Sequence, residues 1–392
     1  MNKDFHYYAA YCAAYLSGFS HEECLRICYA SQFTDLCSRT LLTRIGAPES
    51  AATTQLQLEL MNARTDISGL QDITRIWSSF HFLPGDLYAE KEHCGKRYLN
   101  KYRLICNPNG ELLKDTVELA KGHGPEAGGL AMHVLADTWA HRYFAGTPSL
   151  VINNTNGYFF EIFPEQGEKV KRKIIFNHNP GSADDPETSF YTNSVYQSSE
   201  NNIMNLGHGR AGHLPDYCFV RYRYLPAWGE YEEIIKDNQH DYRMAFCQMI
   251  YALKYLKGDI AEFETEHYDF DAAAPYEERI NAILAKRQLD ACEDWKAFGE
   301  SLSGQPIEDF DTEKYLPQYT EASEDAKDDT VIGQFILAAL AQKSMVTNRI
   351  YRSGNTLAGI SVDYKEKGLE GIRDYFRLVK RAAKETGEAA DE

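Results

Sequence analysis

The sequence predicts a mainly α protein interrupted by one loop-rich, partly β insertion. Proline-free segments rich in Ala and Leu recur along the chain at lengths that suit helices. Ser20, followed three residues later by Glu23, spells a helix-start signature. From Thr147 to about Gly229 the composition shifts to Asn, Gly, Pro, Tyr and Ser, with short apolar runs that suit hairpin strands.

Taken in order, residues 5–17 read as a first helix, and Gly18 breaks it. Ser20 caps a second helix that runs from His21 towards Asp35. Residues 45–60 carry no clear pattern. Asp72–Phe80 reads as a short helix leading into Phe80-His81-Phe82-Leu83-Pro84-Gly85-Asp86, where Pro and Gly force irregular backbone. Leu112–Gly122 reads as a helix, then a Gly-Pro turn, then the helix Gly129–His141. After the insertion (residues 147–229, with strands expected at Tyr158–Phe163 and Lys173–Phe176), helices return at His240–Lys257 and Pro275–Leu302. The acidic stretch 303–329 is expected to act as a connector. Two last helices, Thr330–Arg352 and Gly368–Thr386, are expected to pack on the main body, residues 1–302, and residues 387–392 form a frayed tail.

The chain has 392 residues, 43% of them hydrophobic, enough for a sizeable core. A formal charge of −17, from 58 acidic and 41 basic residues, works against non-specific binding to a long polyanion or an anionic membrane. Phosphate binding through metal ions is compatible with that charge, because bound cations invert the local field. No run is long and apolar enough for a membrane span, and the polar start, Met1-Asn2-Lys3-Asp4-Phe5-His6, shows no secretory signal, so a cytoplasmic location is expected. Nine cysteines are scattered with no Cys-x-x-Cys pair, which suits buried thiols better than a disulfide framework.

The chemistry concentrates on the Gly129–His141 helix. His133, Asp137 and His141 recur every fourth residue. A step of four advances about 400° around a helix, so they form one drifting stripe on an otherwise apolar surface. Three such residues are costly to bury without mutual compensation, and two imidazoles flanking a carboxylate suit a borderline metal such as zinc. Other candidate ligands stand elsewhere. His6 lies on the first helix, with Asp4 as an assistant. Asp35 ends the second helix, and His81 sits between two phenylalanines. His208, His213 and Asp216 share a Gly-rich segment in which glycine permits close backbone approach. Arg210, in the same segment, has the planar fork that suits a phosphate clamp. Taken singly, Asp35 also fits a helix-terminal aspartate and Arg210 a surface ion pair. Tyr7, Tyr8, Phe80, Phe82, Trp139 and Tyr143 could wall an apolar pocket, although aromatics of this kind more often fill a core.

This ordered pattern resembles the zinc-dependent phospholipase C and S1/P1 nuclease superfamily, over about residues 1–220. It consists of an early His (His6), an Asp after the second helix (Asp35), His81-Phe82, the helical His133-x-x-x-Asp137, and later histidines with a carboxylate. Ala136-Asp137-Thr138-Trp139-Ala140-His141 looks most like the phospholipase C side, in a bacterial branch of the superfamily. The resemblance implies a multi-helix bundle and one to three zinc ions, or another divalent transition metal. It implies that Asp35, His81, His133 and Asp137 hold one metal and that His6 holds another across a shared Asp137. His141 with His208 or His213 and Asp216 would hold a third. It further implies hydrolysis of a phosphoester small molecule or lipid headgroup, with Asp35 and Arg210 in catalytic roles.

The sequence departs from the pattern in three places. The superfamily's secreted members bind metal through a processed N-terminal Trp, where this chain has Met1. The step from Asp137 to His141 is shorter than in the bacterial phospholipases and nucleases. The last motif is His213-x-x-Asp216 in place of His-x-x-x-Glu or His-x-x-x-Asp. Two alternatives stand beside the hydrolase reading: an S1/P1-like nuclease or nucleotide phosphodiesterase, and a metal-stabilised helical scaffold without turnover.

Overall fold

A computed structural model of the chain describes residues 1–56, 59, 67–147, 149–163, 170–177, 182–193, 206–355 and 357. The first helical stretch opens with a wide π turn, Asp4–Ala9, which carries His6, and continues as α1 (Ala10–Leu16). Such wide turns are frequent at functional sites. α2 (His21–Phe33) starts on the expected capping box: the Ser20 hydroxyl accepts from the Glu23 amide, and the Glu23 carboxylate accepts from the Ser20 amide. A short α3 (Arg39–Arg44), capped by Ser38, falls where the sequence suggested nothing. α4 (Ile67–Phe80) begins ahead of Asp72. α5 (Lys96–Tyr102) and α6 (Glu111–Ala120) precede α7 (Gly124–Ala140), which carries the His133 stripe. α7 includes Gly124-Pro125 in its first turn, where proline's missing N–H has no helical acceptor to lose.

α7 is the axis of the molecule. Every residue from Glu126 to Ala140 is buried. A helix apolar on all sides finds neighbours all round, and each large aliphatic side chain it buries contributes about 1.5–3 kcal/mol. α2, α6, the long helix α9 (Asn238–Lys257, after the four-residue α8, Leu150–Asn153) and a late helix, Val331–Arg352, pack around it. The α2 crossing is close because of Gly129: a Cβ there would lie 2.2 Å from the Ile27 carbonyl oxygen. This crossing brings the end of α2, and with it Asp35, towards His133.

The insertion folds into short strands: β1 (Phe160–Ile162), β2 (Lys171–Lys173), β3 (Ile175–Asn177), β4 (Phe190–Thr192), β5 (Arg221–Tyr224) and β6 (Ile234–Asp237). β2-β1-β5-β6 form one antiparallel sheet, with Glu161 opposite Arg172 and Tyr222 opposite Lys236, while β3 and β4 pair in parallel. The region extends past Gly229 because β6 completes the sheet on β5. Tyr222 and Tyr224 point into a second core with Phe82, Phe144, Phe159 and Leu214, while Arg221 and Arg223 alternate outward. Lys236 ties this sheet to the end of α7. Its ammonium donates to the Trp139 carbonyl at 3.0 Å and pairs with the buried Asp241, a cation on a helix C-terminus.

Beyond α9 lie α10 (Phe270–Ala273), α11 (Glu277–Ala285) and α12 (Cys292–Ser303). The stretch expected as Pro275–Leu302 is thus broken over residues 286–291. There Arg287 pairs with the buried Glu161 at 2.6 Å, and Asp290 accepts from the Cys292 amide at 2.7 Å, a local bond that competes with helix. The acidic 303–329 stretch packs on the main body through Ile307, Leu316 and Tyr319 and contains α13 (Leu316–Glu321). α14 (Val331–Arg352) is capped by Thr330. The expected helix Gly368–Thr386 and the tail lie outside the described residues. Among the described residues no helix is long and apolar enough to cross a membrane. All nine cysteines are free thiols, eight of them buried.

Candidate metal centre

Asp137 is the focus of the buried polar groups. Its Oδ1 lies 3.1 Å from His6 Nε2, and its Oδ2 lies 3.2 Å from both His81 Nδ1 and His133 Nε2. His6 arrives on the π turn, His133 from one turn back on α7, and His81 from just past the end of α4. Asp35 Oδ1 stands 3.8 Å from His81 Nδ1 and 3.9 Å from His133 Nε2. His141 ends α7 and turns its Nε2 to Asp216 Oδ1 at 3.1 Å, while His208 Nε2 lies 3.7 Å from Asp216 Oδ2. Three groups of ligand-type atoms result: His6, His133, Asp137; Asp35, His81, His133; and His141, His208, Asp216. Within each group the atoms lie within 4.8 Å of one another.

The hydrogen bonds on the far side of the rings assign the tautomers of three histidines. His81 Nε2–H donates to the Thr53 carbonyl at 2.9 Å, His141 Nδ1–H to the His81 carbonyl at 2.7 Å, and His208 Nδ1–H to the Gly212 carbonyl at 2.7 Å. A neutral imidazole has one N–H, so each remaining nitrogen presents a lone pair to a carboxylate oxygen. Two lone-pair donors facing each other repel, and a positive charge between them relieves the repulsion. Far-side carbonyl bonds of this kind are how metal-ligating histidines are oriented. The residues therefore fit a divalent metal of the zinc type on the chemistry of the donor set.

The protonation states of His6, His208, Asp137 and Asp216 agree with this. Burial, reinforced by His133, lowers His6 to about 4, and burial lowers His208 to about 4. Burial alone would raise Asp137 and Asp216, but the surrounding histidines and the Met1 amine hold both well below the usual carboxylate range. Neutral imidazoles and ionised carboxylates are the forms a metal binds. His81 moves the other way: burial lowers it, but Asp137 and Asp35 outweigh burial and raise it. A proton at that position answers the same electrostatic demand as a metal.

The remaining candidates are placed differently from expectation. Asp4 does not assist as a ligand: its carboxylate accepts from the Phe5 amide at 2.8 Å and the Ala291 amide at 3.1 Å, and burial raises it to about 6. The Met1 nitrogen stands where Asp4 was expected to help, 2.7 Å from Asp137 Oδ1, 3.3 Å from His141 Nε2 and 3.4 Å from Asp216 Oδ1. Between the two loop histidines the geometry selects His208. His213 is 60% exposed, and its Nδ1 lies 3.4 Å from Asp216 Oδ2, outside the three groups. Arg210 is half-buried on the 3-10 turn Gly209–Ala211, directly after His208 and Gly209. Of the aromatic candidates, Tyr7, Tyr8, Phe80 and Trp139 are core residues, whereas Phe82 stacks on His141 with ring centroids 4.7 Å apart.

Two contributors were not legible beforehand. Thr53, whose carbonyl orients His81, sits in a stretch without pattern. Gly207 has φ +58°, and a Cβ there would lie 2.2 Å from the Phe82 ring, so glycine lets the His208 loop close over Phe82. Asp35, at 30% side-chain exposure, is the most open of the grouped residues, whereas His6, His133 and Asp137 are at most 1% exposed.

A family model described as a family of unknown function (DUF6765) matches residues 1–350. No curated protein and no solved structure matches the chain.

Proposed function

The chain belongs to the DUF6765 family, and we propose that it is a metal-dependent phosphoester hydrolase of the phospholipase C-like type, with zinc or a similar divalent metal. The observation that carries the reading is the set of three histidines whose far nitrogens are tied to backbone carbonyls while their lone pairs converge on Asp137 and Asp216. Asp35, His81, His133 and Asp137 would hold one metal, His6 and Asp137 a second, and His141, His208 and Asp216 a third. A bound divalent metal supplies Lewis acidity, acidifying water and drawing charge from phosphoryl oxygens.

The chain's own residues do the rest. Asp35, 30% exposed, is the carboxylate that would orient a water and take its proton. Thr53 and Gly212 keep His81 and His208 in one tautomer, so their lone pairs need no reorientation when substrate arrives. Phe82 covers one face of His141 and keeps bulk water from it. The charge of −17 favours a small phosphoester or headgroup over long nucleic acid.

The near-complete burial of His6, His133 and Asp137 favours a second reading, a metal that only stabilises the bundle. Elemental analysis of the wild type and His133→Ala comes first: fewer than about one metal per chain, unchanged by the substitution, removes the proposal. Assays on bis-p-nitrophenyl phosphate, short-chain phosphatidylcholine and single-stranded DNA then separate hydrolase, phospholipase and nuclease. Full metal content with no turnover on any of them leaves the stabilising role.

A further inference from the structure

We propose that a cavity between α4 and α14, away from the histidine cluster, binds the phosphate group of a small molecule through Arg75, Lys343 and Arg352. It is a wide-mouthed groove, open to solvent along one side, with about 620 Å³ of space, enough for a small molecule's phosphate group. One wall is a single face of α14. Lys343, Ser344, Thr347, Asn348, Tyr351 and Arg352 line it at steps of one, three and four, the spacing that stacks side chains along a helix. Arg75 of α4 and Ser50 close the other side.

The donor set is what points to an anion. In a chain with 58 acidic residues, the lining described carries three cations, two serines, a threonine and an asparagine, and no carboxylate. Lys343 is held in place without being neutralised: its ammonium donates to the Ser50 carbonyl at 2.5 Å and has no ion pair among the described residues. Burial lowers its pKa to about 8, against the pull of Asp72. Arg75 is only weakly matched, with Asp72 at 3.7 Å and a long bond from its Nη2 to the Tyr351 hydroxyl at 3.5 Å, and Asp72 is already paired with Arg39 at 2.8 Å. Arg75 Nε and Thr347 Oγ1 are buried with no hydrogen-bond partner among the described residues. Buried donors left open at the edge of a cavity are groups that a ligand's acceptor atoms would satisfy. Phosphate offers three acceptor oxygens, matching a planar guanidinium in bidentate fashion and an ammonium as a point charge.

The bland alternative is a solvated basic helix face. It does not explain why Lys343 is held on a backbone carbonyl with no carboxylate partner among the described residues, or why two polar atoms are buried without partners. The site is distinct from the metal cluster in its residues and carries no metal-ligand chemistry, so it stands whether or not the hydrolase reading does. It touches that cluster through one segment: Lys343 grips Ser50, and three residues on Thr53 orients His81.

The test is calorimetric titration of the full chain, first stripped of metal with chelator, using inorganic phosphate, adenosine monophosphate and acetate. Phosphate and the nucleotide should bind in the micromolar to low millimolar range, and acetate should not. Ser344→Asp adds a negative charge on an exposed wall position, where the fold is least disturbed, and should weaken both phosphates by at least about tenfold. Lys343→Gln with Arg352→Gln should do the same. Binding that survives in all these variants overturns the site. So does absence of phosphate and nucleotide binding up to about 10 mM, or binding that appears only when metal is restored and is lost in His133→Ala.

Discussion

His6, His133 and Asp137 stand on helical backbone and are buried with it, whereas His208 and Asp216 stand on a Gly-rich loop beside a small sheet. On the helix side, geometry comes with the backbone: four residues along α7 place Asp137 one turn above His133, and only the crossing at Gly129 must be close. On the loop side, nothing local sets the spacing. Gly207 has to adopt positive φ, Phe82 has to fill the space beneath it, and Lys236 has to anchor the sheet to the end of α7. One half is preset by periodicity and the other assembled by packing. Asp137 is shared by His6, His81 and His133 within the helix half and meets the loop half through the Met1 nitrogen, 2.7 Å from Asp137 and 3.4 Å from Asp216.

Removing the shared residue should have the largest effect. Asp137→Ala leaves His6, His81, His133 and the Met1 amine without their common partner. On the proposed metal reading both halves should lose metal by elemental analysis, and denaturant unfolding should show a loss of about 3–5 kcal/mol, the cost of breaking a buried ionic cluster. Metal retained on the loop side would mean the halves are independent. Gly129→Ala comes next. It presses a methyl against the Ile27 carbonyl and should cost about 1–3 kcal/mol in urea unfolding while sparing the His208 side.

Acid should act on both halves. His6 and His208 have folded pKa values near 4, below the unfolded value of about 6.5, so the unfolded chain binds protons that the folded one refuses. The stability they contribute is present above about 6.5 and is lost as pH falls towards 4, with His81 and Asp4, both raised, opposing in part. The melting temperature of metal-free protein should therefore fall from pH 7 to pH 5. His208→Ala should flatten that dependence without removing it, and a dependence unchanged in His208→Ala would put the acid sensitivity on the helix side alone. On the proposed metal reading, His208→Ala should also release metal from the loop half only. The smallest effect on stability belongs to Asp35→Asn, within about 0.5 kcal/mol for a partly exposed group. If the hydrolase reading holds, its turnover should drop by about a hundredfold with metal content intact.

Much of the helical half was legible. The capping box at Ser20 and Glu23, the α7 stripe, the helix from Thr330 to Arg352 and the fourfold spacing of His133, Asp137 and His141 are local facts, and backbone hydrogen bonding turns them into geometry directly. The roster of ligand types was legible as well, because imidazoles and carboxylates on apolar faces need partners wherever they fold. The break over residues 286–291 was not, because it depends on Arg287 finding Glu161, 126 residues away in sequence. The continuation of the sheet past Gly229 was not, because β6 is defined by its partner β5.

The sequence by itself determined that a buried helix would carry two histidines and an aspartate in one stripe and that other polar side chains would have to meet them. Only the tertiary structure decided which ones. His208 was chosen over His213 by a glycine turn packed on Phe82, Asp4 was diverted to the amides of Phe5 and Ala291, and Thr53 was enlisted to hold the tautomer of His81. Helical spacing is encoded within four residues, whereas the choice among loop side chains is made by contacts between segments far apart in the chain.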